Sequence, residues 1–278
     1  MDTETLARRA AENESRWRTQ AETWRRWHPH LTTWWAPVTD ALIARADLRP
    51  GLAVLDLASG TGEPALTIAP LVRPDGMVTA TDLLPEMLSF AEEQARDRGC
   101  ANLRCQVADA CDLPFADASF DRVTCRFGVM FFPDVPRALR EVHRVLRPGG
   151  RAVFTAWGPG PEQVSWTSTA EVVRRHLGEA PPPPAGFDVP GTLGAALRAA
   201  GMDAAEETVT LNLPFPGRPA DFLEWTRGAV APFNQMVERL PAERREAALE
   251  EVLATLGRHD DGRHLNLPGP VVLAVAFR

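Results

Sequence analysis

The chain has 278 residues, 45% of them apolar and 24% charged, enough to bury a sizeable core in one large domain or two small ones. A formal net charge of -7, without any dense block of Lys and Arg, argues against a general nucleic-acid surface, and no apolar run approaches the ~18 residues that a membrane span needs. The 4 cysteines show no CxxC spacing and the polar amino-terminal stretch has no signal-peptide core, so reduced thiols and a cytoplasmic location are expected.

Residues 4–28 place Leu6, Ala10, Trp17, Ala21, Trp24 and Trp27 near helical spacing, and Pro29 predicts an interruption before a second helix over 31–47. Strands and helices then alternate. AVLDLA (53–58) reads as a strand, ALTIAPLV (65–72) as a helix and MVTATDL (77–83) as a strand. A helix follows from Pro85 to Gly99, then strands LRCQVADA (103–110) and FDRVTCRFG (120–128). A helix from Val135 to Leu146 stops at RPGG, before a fifth strand, RAVFTAW (151–157). Beyond it, helices are predicted at 165–178, 192–200, 219–230 and 241–257, with strands at 207–215 and 271–277.

This rhythm predicts an α/β protein with a parallel sheet and helices on both faces, its binding crevice at the carboxyl ends of the strands. The two late strands would extend the same sheet, the last one antiparallel. Residues 1–48 are expected to form a helical lid, 49–158 the binding core, and 159–278 a helical cover with the two closing strands.

The stretch VLDLASGTGEPALTIA (54–69) puts Asp56, Ala58, Gly60, Thr61 and Gly62 where a strand hands over to a helix. Gly60 and Gly62 can adopt positive φ or admit a ligand against bare backbone, and the helix start presents positive potential. Asp56 suits a cationic ligand group better than a pyrophosphate. A G-x-G-x-x-G fingerprint would also need glycine at position 65, where the chain has Ala65. Asp82 ends the next strand and can accept both hydroxyls of a ribose. Asp109 ends the third, where its carboxylate could accept from an adenine amino group while Ala110 offers its backbone N–H.

With VLDLASGTGEPALTIA, the stretches TDLLPEML, VADACDLPFADASFDRVTCRFGVMFFPD and EVHRVLRPGGRAVFTAW make residues 53–157 resemble class I S-adenosylmethionine-dependent methyltransferases, in the branch of the ubiquinone/menaquinone-biosynthesis C-methyltransferases. The resemblance implies a Rossmann-like, seven-stranded, mostly parallel sheet with the last strand antiparallel, S-adenosylmethionine as cofactor and S-adenosylhomocysteine as product. It implies that Asp56 and the glycine turn hold the methionine part and Asp82 the ribose. Leu83 and Met87 would pack near sugar and adenine, Asp109 and Ala110 would address the adenine, and Arg126 and Phe127 would flank the methionine moiety and transfer site.

The 8 Trp residues, in a chain without Tyr, suggest the acceptor side. Trp24, Trp27, Trp34 and Trp35 in the lid, Phe131 and Phe132 after the fourth strand, and Trp157 and Trp166 after the fifth could line a pocket for a small aromatic or prenylated acceptor. His28 and His30 are candidate general bases. Cys125 and His143 read as structural. His259, Asp260, Asp261 and His264 fall in a loop, and no metal is expected. The reading is methyl transfer to C, O or N of a small molecule, without nucleic acid or membrane as partner and with the oligomeric state open. A cofactor-binding protein that has lost transfer or catalyses another reaction such as cyclisation is the alternative, and a nicotinamide oxidoreductase a remote one.

Overall fold

The computed structural model describes residues 3–278; Met1 and Asp2, the start of the expected lid, lie outside the described residues. Val54, Leu55 and Leu57 build the central strand β1 (Ala53–Leu57), each buried. It is flanked by β2 (Met77–Asp82) and β4 (Phe120–Arg126), with β3 (Leu103–Val107) beyond β2 and β5 (Leu146–Trp157) beyond β4. β6 (Asp203–Leu211) and β9 (Gly269–Phe277) complete a seven-stranded sheet of order β3-β2-β1-β4-β5-β9-β6. Pairing is parallel from β3 to β5, and β9 runs antiparallel to both its neighbours. The expected sheet, antiparallel last strand included, is the one observed.

Side-chain alternation along β1 feeds two cores. Val54 joins Val78, Ala80, and Leu66 and Ile68 of α3 (Ala65–Ile68), with Ala95 of α4 (Pro85–Asp97), on one face. Leu55 and Leu57 join Leu139 and Val142 of α5 (Val135–Val145) on the other, together with Leu193 and Leu197 of α8 (Thr192–Ala199). Both faces are covered, which is why these strands read as nearly continuous apolar runs. Strand order reverses between β1 and β4, the switch point at whose carboxyl ends doubly wound sheets bind their ligands.

That end of the sheet is roofed by an aromatic cluster. Trp27, Leu31 and Trp34 come from α1 (Thr3–Trp34), and Trp35 and Val38 from its junction with α2 (Ala36–Ala46). Phe215 comes from β7 (Pro214–Phe215), which pairs with β8 (Leu265–Asn266) apart from the main sheet. Phe222 and Trp225 of α9 (Pro219–Ala229), Phe233 of α10 (Ala231–Arg239) and Val252 of α11 (Ala242–Gly257) complete it. Between β5 and α8 lie the short α6 (Val164–Thr167) and α7 (Ala170–Leu177), the latter ending at Gly178 with φ 74°.

Several boundaries differ from expectation. α1 runs through Pro29, and the break falls at Trp35 instead. A proline inside a helix costs ~3 kcal/mol. Burial of Trp27, Leu31 and Trp34 on either side contributes about 1.5–3 kcal/mol apiece and outweighs it. Thr32 and Thr33 hydroxyls donate to the carbonyls of His28 and Pro29 at 2.9 and 3.2 Å. The helix predicted over 65–72 becomes one α turn and a 3-10 turn over Ala69–Val72, because Pro70 lacks the N–H that would continue the ladder. The predicted strand 207–215 starts earlier, at Asp203, and Pro214 and Phe215 leave the sheet. α10 falls outside every predicted helix.

Candidate functional site

At the carboxyl end of β1 the chain turns through three residues of positive φ, Ala58 (52°), Gly60 (53°) and Gly62 (111°). Phe127 at the end of neighbouring β4 is left-handed as well, with φ 60°. Such a backbone is uncommon for residues with a Cβ and clusters at functional sites. Gly128 is why the two turns can approach: a Cβ there would sit 2.5 Å from that of Ala58.

Asp56 is fully buried behind this turn. Its carboxylate accepts from the hydroxyls of Ser59 and Thr124, both at 2.6 Å. Burial pushes its pKa up to about 6, against the two hydroxyls and Arg126, which favour the charged form. The expectation that Asp56 meets a cationic ligand group directly changes accordingly, because both oxygens are engaged in fastening the turn to β4. Asp82 at the end of β2 accepts from the Gly60 amide at 2.9 Å and from the Leu84 amide at 3.1 Å. Burial raises its pKa. An ionised carboxylate has about four acceptor positions, so two remain for a diol. Leu83 beside it is exposed and Met87 is buried. Asp109 turns back to accept from the Cys111 amide at 2.8 Å, with Ala110 buried beside it.

α1 crosses over these strand ends and is fastened to the turn itself. His28 Nδ1 lies 2.9 Å from Thr61 Oγ1, and its Nε2 lies 3.3 Å from the Arg98 guanidinium. Arg98 pairs at 2.6 Å with Glu63, which also accepts from the Thr67 hydroxyl. Further out, Asn13 donates to the Phe131 carbonyl, and Arg25 and Arg26 pair with Glu93 and Glu224. Burial lowers the His28 pKa to about 4, so the ring is neutral near pH 7. With both nitrogens engaged, His28 acts as a latch between lid and turn. His30, two residues on, faces away towards Trp27 and Phe215.

The aromatic roof centres on Trp35. Its ring lies 5.1 Å from Trp34, 5.5 Å from Trp24, 5.7 Å from Phe127 and 6.4 Å from both Trp157 and Trp225. Phe127 stacks on Trp157 at 4.0 Å. The Arg126 guanidinium sits 5.4 Å above the Trp35 ring and donates to Thr39 at 2.8 Å. Among the described residues the buried side-chain polar atoms without a hydrogen-bond partner are the indole nitrogens of Trp24, Trp34, Trp35 and Trp225 and Nδ1 of His30. All belong to this one cluster. Each unpaired buried group costs about 1–3 kcal/mol, which a merely structural core avoids.

The structure brings Trp24, Trp34, Trp35 and Trp157, proposed for the acceptor side, together with Phe127, proposed for the cofactor side. Trp27 lies further from the strand ends, against Phe215. Trp166 is 43% exposed and packs over Gly160 outside the cluster, so it does not join the other tryptophans expected to line an acceptor pocket. Phe132 belongs to the core under α5, and Phe131 meets Trp17 at the lid edge. Sequence reasoning missed Trp225, Glu63 and Arg98. Trp225 follows Phe222 at helical spacing in a segment already read as helix, and Glu63 directly follows the glycine turn. Arg98 carries no local signal. Among the described residues, no three His, Cys, Asp or Glu are grouped to hold a metal, and no helix is long and apolar enough to cross a membrane.

The chain is similar to several known proteins. Residues 31–157 match the model of the ubiE/COQ5 methyltransferase family. An uncharacterised protein of Mycobacterium tuberculosis is 42% identical over 44% of this chain and 43% of its own. The match therefore spans less than half of that relative's length. Nocamycin O-methyltransferase of Saccharothrix syringae is 29% identical over 84% of this chain and 88% of its own. Among solved structures, the YcgJ protein of Bacillus subtilis superposes with a TM-score of 0.57 over 86% of this chain and 97% of its own, at 24% identity.

Proposed function

We propose, from the match of residues 31–157 to the ubiE/COQ5 methyltransferase family model, that the protein transfers the methyl group of S-adenosylmethionine to a small, aromatic or otherwise apolar acceptor and releases S-adenosylhomocysteine. The observation that carries this reading is the Asp82 carboxylate, held by the Gly60 and Leu84 amides with acceptor positions left for a ribose diol. The residues present fit the cofactor. Gly60, Thr61 and Gly62 line the methionine end, with Ala58 and Asp56 behind them. Leu83, Met87, Asp109 and Ala110 flank the sugar and adenine, and Arg126 and Phe127 border the transfer side.

The sulfonium supplies an already activated methyl group. The chain's own work is alignment and exclusion of water. The latch from His28 to Thr61 holds α1, within the proposed lid, over the core at 49–158, and residues 159–278 complete the roof with Trp225. The likeness to an O-methyltransferase over most of both chains supports a secondary-metabolism acceptor and an oxygen nucleophile. A cytoplasmic setting accords with four free cysteines among the described residues.

Calorimetric titration with S-adenosylmethionine, with NADH as control, tests the reading. Saturable binding is expected for the sulfonium cofactor alone. Asp82→Asn should weaken it roughly 10- to 100-fold through lost charge-assisted hydrogen bonds. Binding of NADH instead, or no effect of Asp82→Asn, refutes it.

A further inference from the structure

The roof around Trp35 holds two kinds of unanswered donor. One is the set of buried indole N–H groups of Trp24, Trp34, Trp35 and Trp225. The other is Arg126, which makes no ion pair among the described residues and has the Thr39 hydroxyl as its hydrogen-bond acceptor. The carboxylates electrostatically nearest to Arg126 are Glu63 and Asp56. Glu63 is already paired with Arg98, and Asp56 is held by Ser59 and Thr124. A guanidinium stacked over an indole at the end of β4 therefore has nearby carboxylates but makes no ion pair with one among the described residues.

We propose that Arg126 and the indole N–H groups of Trp24, Trp35 and Trp225 bind the acceptor as an oxyanion. The acceptor class is a flat apolar molecule carrying a carboxylate, an enolate or an acidic phenolate. An ammonium acceptor would suit Trp faces in isolation, but Arg126 places a like charge over Trp35. A purely apolar acceptor would leave both sets of donors unpaired. Fork-shaped guanidinium geometry matches a carboxylate or a pair of vicinal oxygens.

The inference rests on the methyl-transfer reading, and the chemistry is consistent with it. A lone pair on the anionic oxygen forms the O–CH3 bond as the S–CH3 bond breaks and its electron pair returns to sulfur. Anion and sulfonium become a neutral ester or ether and a neutral thioether, and no proton moves. A base is not needed, in keeping with a His28 ring engaged by Thr61 and Arg98.

The test uses the full chain and three probes of one shape, 2-naphthoate, 2-naphthamide and 2-naphthylmethylammonium, titrated by indole fluorescence and calorimetry with and without S-adenosylhomocysteine. Naphthoate should bind at least about tenfold more tightly than either of the others. Arg126→Gln should abolish that preference. Trp35→Phe, which keeps a ring and deletes the N–H, should weaken naphthoate roughly three- to tenfold and naphthamide less. If Arg126→Gln does not fold, Arg126→Lys and Trp35→Phe carry the test, both lowering affinity for naphthoate selectively.

Equal binding of naphthamide, absence of naphthoate binding up to millimolar concentration, or a preference that survives Arg126→Gln would overturn the proposal. So would an Arg126→Gln variant whose defect lies in S-adenosylhomocysteine binding with the naphthoate preference intact, which would assign the guanidinium to the cofactor. The probe titration without cofactor reads the oxyanion site alone, so failure of the methyl-transfer reading shows separately, in the S-adenosylmethionine titration.

Discussion

Asp56→Asn isolates a buried charge within an unchanged shape. The pKa of Asp56 stands at about 6 against an ordinary 3.8 because desolvation exceeds the help from Ser59 and Thr124. At 1.36 kcal/mol per pKa unit, that separation corresponds to ~3 kcal/mol. The folded state holds the proton more tightly than the unfolded chain. Stability linked to this group is thus fully present below pH 3.8 and is lost as the pH rises through about 6. Asparagine mimics the protonated acid: its carbonyl accepts from one hydroxyl, and its amide donates to the other. The variant should match the wild type near pH 4 and exceed it by up to ~3 kcal/mol at about pH 7.5. Urea unfolding of both proteins across that range, followed by tryptophan fluorescence and circular dichroism, gives the difference curve, in which other titrating groups largely cancel. A difference that stays flat with pH, or one that favours the wild type increasingly above pH 6, refutes the account of Asp56 as an ionised post held at a cost.

His28 has the opposite sign. Its folded pKa near 4 lies below the ordinary 6.5, so its share of stability is present above pH 6.5 and lost as the pH falls towards 4. Replacing it with Ala should remove that loss and free the lid, with amide exchange in α1 faster by the equivalent of about 1–3 kcal/mol. Unchanged exchange on both sides of Pro29 would show that the latch holds nothing. Gly128→Ala should lower stability by roughly 1–3 kcal/mol, because its Cβ would meet Ala58 Cβ at 2.5 Å and Cys125 Sγ at 3.0 Å. A melting temperature equal to that of the wild type would mean that the two left-handed turns can part freely.

The sheet was legible because its strands are buried on both faces. Val54, Leu55 and Leu57, or Val123 and Cys125, carry the same apolar signal whichever face they point to. The acids Asp82 and Asp109 were legible because they close such runs. Pro29 misled because a local rule met a tertiary one: the rings of Trp27 and Trp34 are buried against segments that follow them by about two hundred residues. The engagement of His28 was hidden for a related reason, since its partners Thr61 and Arg98 come from a turn and a helix end that only the folded sheet brings together. Among the roof residues, Trp225 was the hardest to see. Its spacing from Phe222 announces a buried helix face equally well whether that face meets a core or a ligand.

The place of β9 has a consequence for the order in which the molecule can be made. During synthesis β6 emerges well before β9, yet it has no neighbour in the sheet except β9. Until residues 269–277 leave the ribosome, β5 and β6 each present a bare edge, and every ladder bond of β6 awaits a later part of the chain. The binding half, residues 53–157, can pair its five parallel strands early, whereas the outer strand and the roof helices that follow it wait for the closing one. Between those two moments the nascent protein carries two unpaired strand edges, the kind that invite pairing with another chain. The strand completed last is thus the one that turns two open edges into a continuous sheet.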